Sequence, residues 1–281
     1  MSRPRYVLQQ ARGFTVFLDS IVTNANLFFL ILVRVFSMLA VAPLFSSESI
    51  PDIVRVGLAF FVSIVVFPWI NAAGYPIPEN GLAYVGLLIG ELLIGLLQGF
   101  FLVMVYSVFQ MAGQFIAQQM GFNASEVYDP LAQVEQPVLG QFLNLSAMLV
   151  FLTAGGFQQV FLTNVWHSFQ ALRAADFFTH PDFISQQLIA SLAELFQRSF
   201  LLSLPVFGVL LLTTLSLGLV GKAAPQMNLM MMGFPINIGL GFLILMASMP
   251  FLVQAFSSVV NNGFDTLQAL MVRMAPPGVA R

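Results

Sequence analysis

The sequence predicts an all-α, polytopic membrane protein made of helical hairpins, some of them bent or broken. Composition is the first reason. Of 281 residues, 58% are hydrophobic and 8% charged, whereas about a quarter of a soluble domain is charged. The mean hydropathy is +0.89. The second reason is the length of the stretches free of Asp, Glu, Lys and Arg, which cover 56–78, 92–125, 136–172, 199–221 and 223–264. About 20 apolar residues cross a bilayer, so several of these suffice. The third is punctuation: prolines cluster between the runs, where they favour turns or helix breaks.

Six apolar segments follow in order, 21–45, 56–70, 82–121, 139–169, 184–221 and 236–260. The first is preceded by Arg3, Arg5 and Arg12, and Ala40-Val41-Ala42 has the form of a signal-peptide cleavage site. Arg34 interrupts its apolar core, the run is too long for a signal peptide, and Pro43 would follow the cut directly, so it is expected to stay as a span. The second segment, about 22 Å as a helix, is short for a crossing. The third would be about 60 Å long as one helix, twice a hydrocarbon core, and must bend, break or leave the membrane. Breaks are expected at Pro43 and Pro51, Pro76 and Pro78, Pro130 and Pro137, Pro181, Pro225 and Pro235. The residues Phe264, Leu267, Leu270, Met271 and Met274 recur at spacings of three and four, which predicts a short amphipathic tail helix. Such a helix docks on its own protein or lies on a lipid surface. With six crossings, Arg3, Arg5, Arg12, Arg173, Arg273 and Arg281 share one side against Arg55 and Lys222, which places both termini in the cytoplasm.

Several classes are excluded or disfavoured. A net charge of -2 leaves no basic footprint for nucleic acid. No cysteine is present, which removes thiolate nucleophiles and Cys-ligated metals. With only His167 and His180, separated by thirteen residues, no metal site is expected. The chain lacks a G-x-S-x-G elbow and a phosphate-binding glycine loop, and His167-Ser168 are merely adjacent, so neither an enzyme nor a cofactor is expected.

Polar residues inside oily helices carry the functional signal. Gln110, Gln114 and Gln118 recur every four residues and share a helix face. Gly113, Ala117 and Gly121 form a neighbouring stripe with almost no side chains, which lets another backbone approach. Such a face suits a helix packed in an assembly or lining a polar path, because an unpaired buried amide costs about 1–3 kcal/mol. Glu91 lies between two small-residue pairs, Gly86 with Gly90 and Gly95 with Gly99. An intramembrane carboxylate is a functional candidate by default, and so is Arg34. Glu91 can pair structurally with Arg34, Arg55 or Lys222, serve gating or assembly, or relay protons. The turn Lys222, Pro225, Gln226, Met227, Asn228 is polar and should face a partner or the cytoplasm. Met227, Met230, Met231 and Met232 either fill gaps between helices or form a compliant seal.

Taken together, Arg34, Pro43-Leu44-Phe45, Pro51, GELLIGLLQGF at 90–100, AGQFIAQQMGF at 112–122, Asp129-Pro130, Gln136-Pro137-Val138-Leu139, APQMN at 224–228 and GFPINIGLG at 233–241 resemble the FliR family, the R and T subunits of type III secretion export gates. The resemblance runs from about residue 30 to 245. One departure is Gly155-Gly156-Phe157, where the family tends to have Gly-Gly-His. The resemblance implies a subunit of a helical export gate that assembles with P and Q subunits, and with the B subunit and the large export-gate subunit. Its place would be the bacterial inner membrane, in the flagellar basal body, and its cargo unfolded flagellar proteins. It further implies a P-like part at 1–183, a Q-like helical hairpin at 184–281, and a pore plug around Gln110, Gln114, Phe115, Gln118, Gln119, Met120, Gly121 and Phe122. Gly86, Gly90, Glu91, Gly95, Gly99, Gly113 and Ala117 would then serve subunit packing. The competing readings are a homologous injectisome subunit and a stand-alone carrier using Glu91 and Lys222, with helices broken at Pro205 and Pro235. No inverted repeat favours the carrier.

Overall fold

A computed structural model of the chain describes residues 19–43, 45–46, 50–121, 138–153, 155–156, 159–160, 165–172, 174, 181–224, 226 and 229–274. Among the described residues, seven helices carry the architecture: α1 (Ala25–Val41), α2 (Asp52–Ala73), α3 (Gly81–Met120), α4 (Val138–Thr153), α5 (Val165–Ala171), α6 (Pro181–Ala223) and α7 (Leu229–Met274). Four of the helical stretches are long and apolar enough to cross a membrane: Asp52–Ala73, Gly81–Met120, Ile184–Ala223 and Met231–Met271. The chain is therefore a polytopic helical membrane protein. Two compact units are interleaved in sequence, one of Met1–Phe100, Gln158–Pro181 and Leu267–Arg281, the other of Phe101–Phe157 and Asp182–Thr266.

Within the first unit, α1 and α2 pack as a hairpin. Phe28 meets Phe60 and Phe67 edge to face at 5.4 and 6.1 Å, and Leu27, Leu30, Ile31, Val35, Ala59, Val62, Val66 and Ile70 are buried. Helix α2 starts after Pro51 with Asp52 in its first turn and ends at Gly74, whose φ of 71° belongs to the left-handed region that suits glycine. The amino-terminal half of α3 runs parallel to α1. Tyr84 donates to the Asn26 carbonyl at 3.0 Å, Gly95 lies against Arg34 and Ser37, and Gly99 lies against Met38 and Val41.

The second unit holds the carboxyl-terminal half of α3, α4, and most of α6 and α7. Helices α6 and α7 run antiparallel, because Gly233 is placed over Leu217 and Asn237 reaches Thr214. Rings fill the space between helices: Phe109 with Phe256 at 4.3 Å, Tyr106 with Phe151 at 5.6 Å, Phe151 stacked on Phe264 at 6.2 Å, and Phe115 with Phe200 at 6.1 Å.

Three expectations are corrected. The short segment 56–70 belongs to a 22-residue helix, about 33 Å long, because hydropathy discarded the polar ends Asp52, Arg55 and Asn71. Segment 139–169 is two helices, α4 and α5. Of the three alternatives for the third segment, a break is excluded, because α3 is one 40-residue helix. Likewise α6 passes through Pro205 and α7 through Pro235 and Pro250 without interruption. A proline removes one backbone bond, but the surrounding ladder has no water to turn to in an apolar medium, so the helix continues. The predicted tail helix is the end of α7, and its Leu267, Leu270 and Met271 are buried in the chain's own fold.

Candidate functional site

Two constellations stand out, one in each unit. The first is charged. Arg34 of α1 and Glu91 of α3 are both fully buried and form an ion pair through the guanidinium Nε and a carboxylate oxygen. The other donors are also used. One terminal nitrogen donates to the Ser168 hydroxyl at 3.0 Å and the other to the Leu172 carbonyl at 3.1 Å. The guanidinium lies over the Phe169 ring, 3.7 Å from its centroid. On the other side, Tyr75 donates its hydroxyl to the second Glu91 oxygen at 2.5 Å and meets Phe169 edge to face at 5.9 Å. Burial, and then the Glu91 carboxylate, push the Tyr75 phenol well above the usual tyrosine range.

The glycines make this geometry reachable. A Cβ on Gly99 would fall 2.6 Å from the Met38 carbonyl oxygen, and one on Gly95 would overlap Ser37 and the Arg34 carbonyl. Gly90 lies equally close to Ala174, while Gly86 has open space around it. Bringing α1 within backbone contact of α3 sets Arg34 within hydrogen-bonding reach of Glu91. A compensated pair with no solvent access and a hydrogen bond from each guanidinium nitrogen is a clasp that ties α1, α3, the 74–80 connection and α5 together.

Of the cations open to Glu91 on sequence, Arg34 is the one it meets; Arg55 pairs with Asp52 at 2.9 Å, and Lys222 is exposed in the last turn of α6. Tyr75, Ser168 and Phe169 were not singled out as members of this site. Tyr75 sits in a proline-rich connection and Ser168 beside a histidine, so neither belongs to a helical stripe.

The second constellation is neutral. Gly113 of α3 crosses Gly140 of α4 at backbone distance: a Cβ on Gly113 would lie 2.8 Å from the Gly140 nitrogen. Gln110 and Gln114 flank the crossing; the Gln110 carbonyl is 3.0 Å and the Gln114 Cγ 3.7 Å from where a Gly140 Cβ would be. Ala117 is buried, Gln118 is exposed and Phe115 is half-buried. At the end of α3, Met120 is fully buried against Gly241 and Gly121 faces the Phe234 ring. Gln119 donates to the Thr214 hydroxyl at 3.4 Å, and Asn237 donates to the same oxygen at 3.5 Å. The two sequence motifs AGQFIAQQMGF and GFPINIGLG thus meet within one unit. Phe122, Pro225, Met227 and Asn228 lie outside the described residues, while Gln226 is exposed and so are Met231 and Met232. Thr214 was missed because a lone threonine in an apolar helix usually bonds its own backbone, as its hydroxyl also does to Leu210.

Long apolar helices around a buried, internally compensated ion pair define a polytopic helical membrane protein. The sequence model of the family described as "Bacterial export proteins, family 1" matches residues 25–263, and the chain belongs to this family. It is 30% identical over 258 residues to the flagellar biosynthetic protein FliR of Bacillus subtilis (strain 168), covering 90% of this chain and 98% of that protein. The FliR of Escherichia coli (strain K12) is 29% identical over 251 residues, covering 87% and 94%. That of Borreliella burgdorferi is 28% identical over 243 residues, covering 86% and 89%.

Proposed function

We propose that this protein is the R subunit of a flagellar type III secretion export gate in the bacterial inner membrane, located in the flagellar basal body. It assembles there with P and Q subunits, and with the B subunit and the large export-gate subunit, into the channel that passes unfolded flagellar proteins outward. The observation that carries the reading is likeness to FliR proteins along nearly the whole chain. The surface supports it as well. Only 22% and 17% of the apolar windows of α6 and α7 are buried by the chain itself, which leaves long helical faces for sister subunits or lipid. Residues 1–183 serve as the P-like part and 184–281 as the Q-like hairpin. Gly86, with open space around it, is available for packing against a neighbour, and the exposed turn around Lys222 and Gln226 faces a partner.

In this reading the segment from Gln110 to Phe122, which begins in the carboxyl-terminal end of α3, plugs the resting pore. A conduit for unfolded chains must seal against ions and still yield, and neutral amides with apolar side chains do so without trapping charged cargo. The carrier reading loses its basis: Glu91 is bound to Arg34 without solvent access, and the helices are continuous at Pro205 and Pro235. Purification of the tagged full chain from its own membranes in mild detergent tests the proposal. Stoichiometric P and Q subunits should co-elute. A chain that elutes alone and transports a solute in vesicles would contradict it.

A further inference from the structure

The end of α3 is held by contacts that are close in shape but weak in chemistry. Met120 is fully buried, and its side chain fills a notch that exists because residue 241 is glycine: a Cβ there would lie 2.7 Å from the Met120 Cγ and 2.9 Å from its sulfur. The next residue, Gly121, has φ +85, a conformation that side-chain-bearing residues rarely adopt. Its amide closes a short turn onto the Gln118 carbonyl at 3.1 Å, and the Phe234 ring lies 2.6 Å from where its Cβ would be. Against this apolar seat, the polar fastening is slight. Gln119 and Asn237 both donate to the single hydroxyl oxygen of Thr214, at 3.4 and 3.5 Å, the long end of hydrogen bonding. The Asn237 Oδ1 is buried with no partner among the described residues.

We propose that Thr214, Asn237 and Gly241 form a catch for the end of α3, which keeps the plug seated at rest and lets it leave when cargo arrives. The inference rests on the plug reading and deepens it. Three features fit a catch better than a permanent joint. Methionine is flexible and slides out of a notch more easily than a branched side chain. The single long bond from Gln119 to Thr214 is the polar tie of α3 to the catch, and when Gln119 leaves, Asn237 keeps its own bond to the same oxygen. The unpaired Asn237 acceptor leaves the seated arrangement less than fully satisfied, so it is biased rather than locked. Gly121 supplies the hinge, since its backbone conformation costs glycine nothing in either the seated or a swung position.

The test uses the full gate, with resting potassium leak and export of flagellar protein as readouts. Thr214→Val keeps the shape and removes the acceptor that holds Gln119, so the leak should rise about fivefold with the loss of that bond, in complexes that still assemble. Deletion of 115–120 serves as the reference for an absent plug. A leak in the deletion but none in Thr214→Val would overturn the catch while leaving the plug in place. No leak in the deletion would overturn the plug reading, and the catch with it. Should Thr214→Val fail to assemble, a second variant decides. The double substitution Met120→Cys, Gly241→Cys brings two sulfurs within bonding reach in this cysteine-free chain. Oxidation with copper phenanthroline should then stop export, and dithiothreitol should restore it. Export that continues with the crosslink formed would overturn the proposal.

Discussion

Gly113 and Gly140 meet backbone to backbone, with Gln110 and Gln114 astride the crossing. The missing side chains and the amides are thus parts of one arrangement: glycine removes the bulk that would separate α3 from α4, and the shortened distance puts amide-bearing residues beside a neighbouring backbone. Adding a methyl group at either glycine must push the helices apart. Gly113→Ala and Gly140→Ala are each expected to cost about 1–3 kcal/mol through overpacking, while Gly208→Ala, in open space, costs nothing measurable. Thermal unfolding in detergent, followed by circular dichroism, separates the two groups.

The Arg34–Glu91 clasp behaves differently from a surface ion pair. Removing one partner strands a buried charge, so Arg34→Met alone and Glu91→Leu alone should each cost about 3–5 kcal/mol, and the double variant should recover most of the loss. The yield of monodisperse protein and the unfolding midpoint of the three variants check this. Equal losses in the single and double variants would show that the segment around Ser168 and Leu172 needs the guanidinium itself.

Tyr75 predicts a specific response to alkali. Its folded-state affinity for the proton is raised above the ordinary value of 10.0, so the native state holds a proton that the unfolded state releases. The associated stability is fully present below about pH 10 and is lost as pH rises further. Stability should be flat through neutral pH and fall above that point, and Tyr75→Phe should flatten the fall. Unfolding midpoints measured between neutral and strongly alkaline pH are the check.

Gln226 is exposed in the turn between α6 and α7. In a chain without cysteine, Gln226→Cys gives a single reporter. A membrane-impermeant thiol reagent should label it in inverted vesicles and not from outside intact spheroplasts if this turn faces the cytoplasm. Labelling from outside would place it with the side to which counting arginines and lysines assigned Lys222.

The legible parts of this fold were those set by local pattern. Apolar runs located the long helices, and the spacing of Gly95, Gly99 and Gly113 marked where backbones touch. Helix ends such as Asp52 and Asn71 were missed because polar termini of a helix dilute hydropathy. The prolines at 205 and 235 suggested breaks that an apolar environment suppresses. Of the long-range partners, Arg34 was legible as one of three candidates for Glu91. Nothing local ties Tyr75 to Glu91, Ser168 to Arg34 or Thr214 to Gln119, because each pair is brought together only by packing. The amide stripe was found by its period, whereas Gln119, its neighbour, bonds Thr214 of another helix without belonging to that period.

The central claim is that the end of α3 closes the gate, and resting ion conductance tests it most directly. Gates purified with the full chain, or with residues 115–120 deleted, are compared in planar bilayers after confirming that both contain the same subunits. The account predicts a tight wild-type gate and a persistent leak in the deleted form. Equal, low conductance in two fully assembled gates would contradict it, and would make the segment from Gln110 to Gly121 a packing face alone.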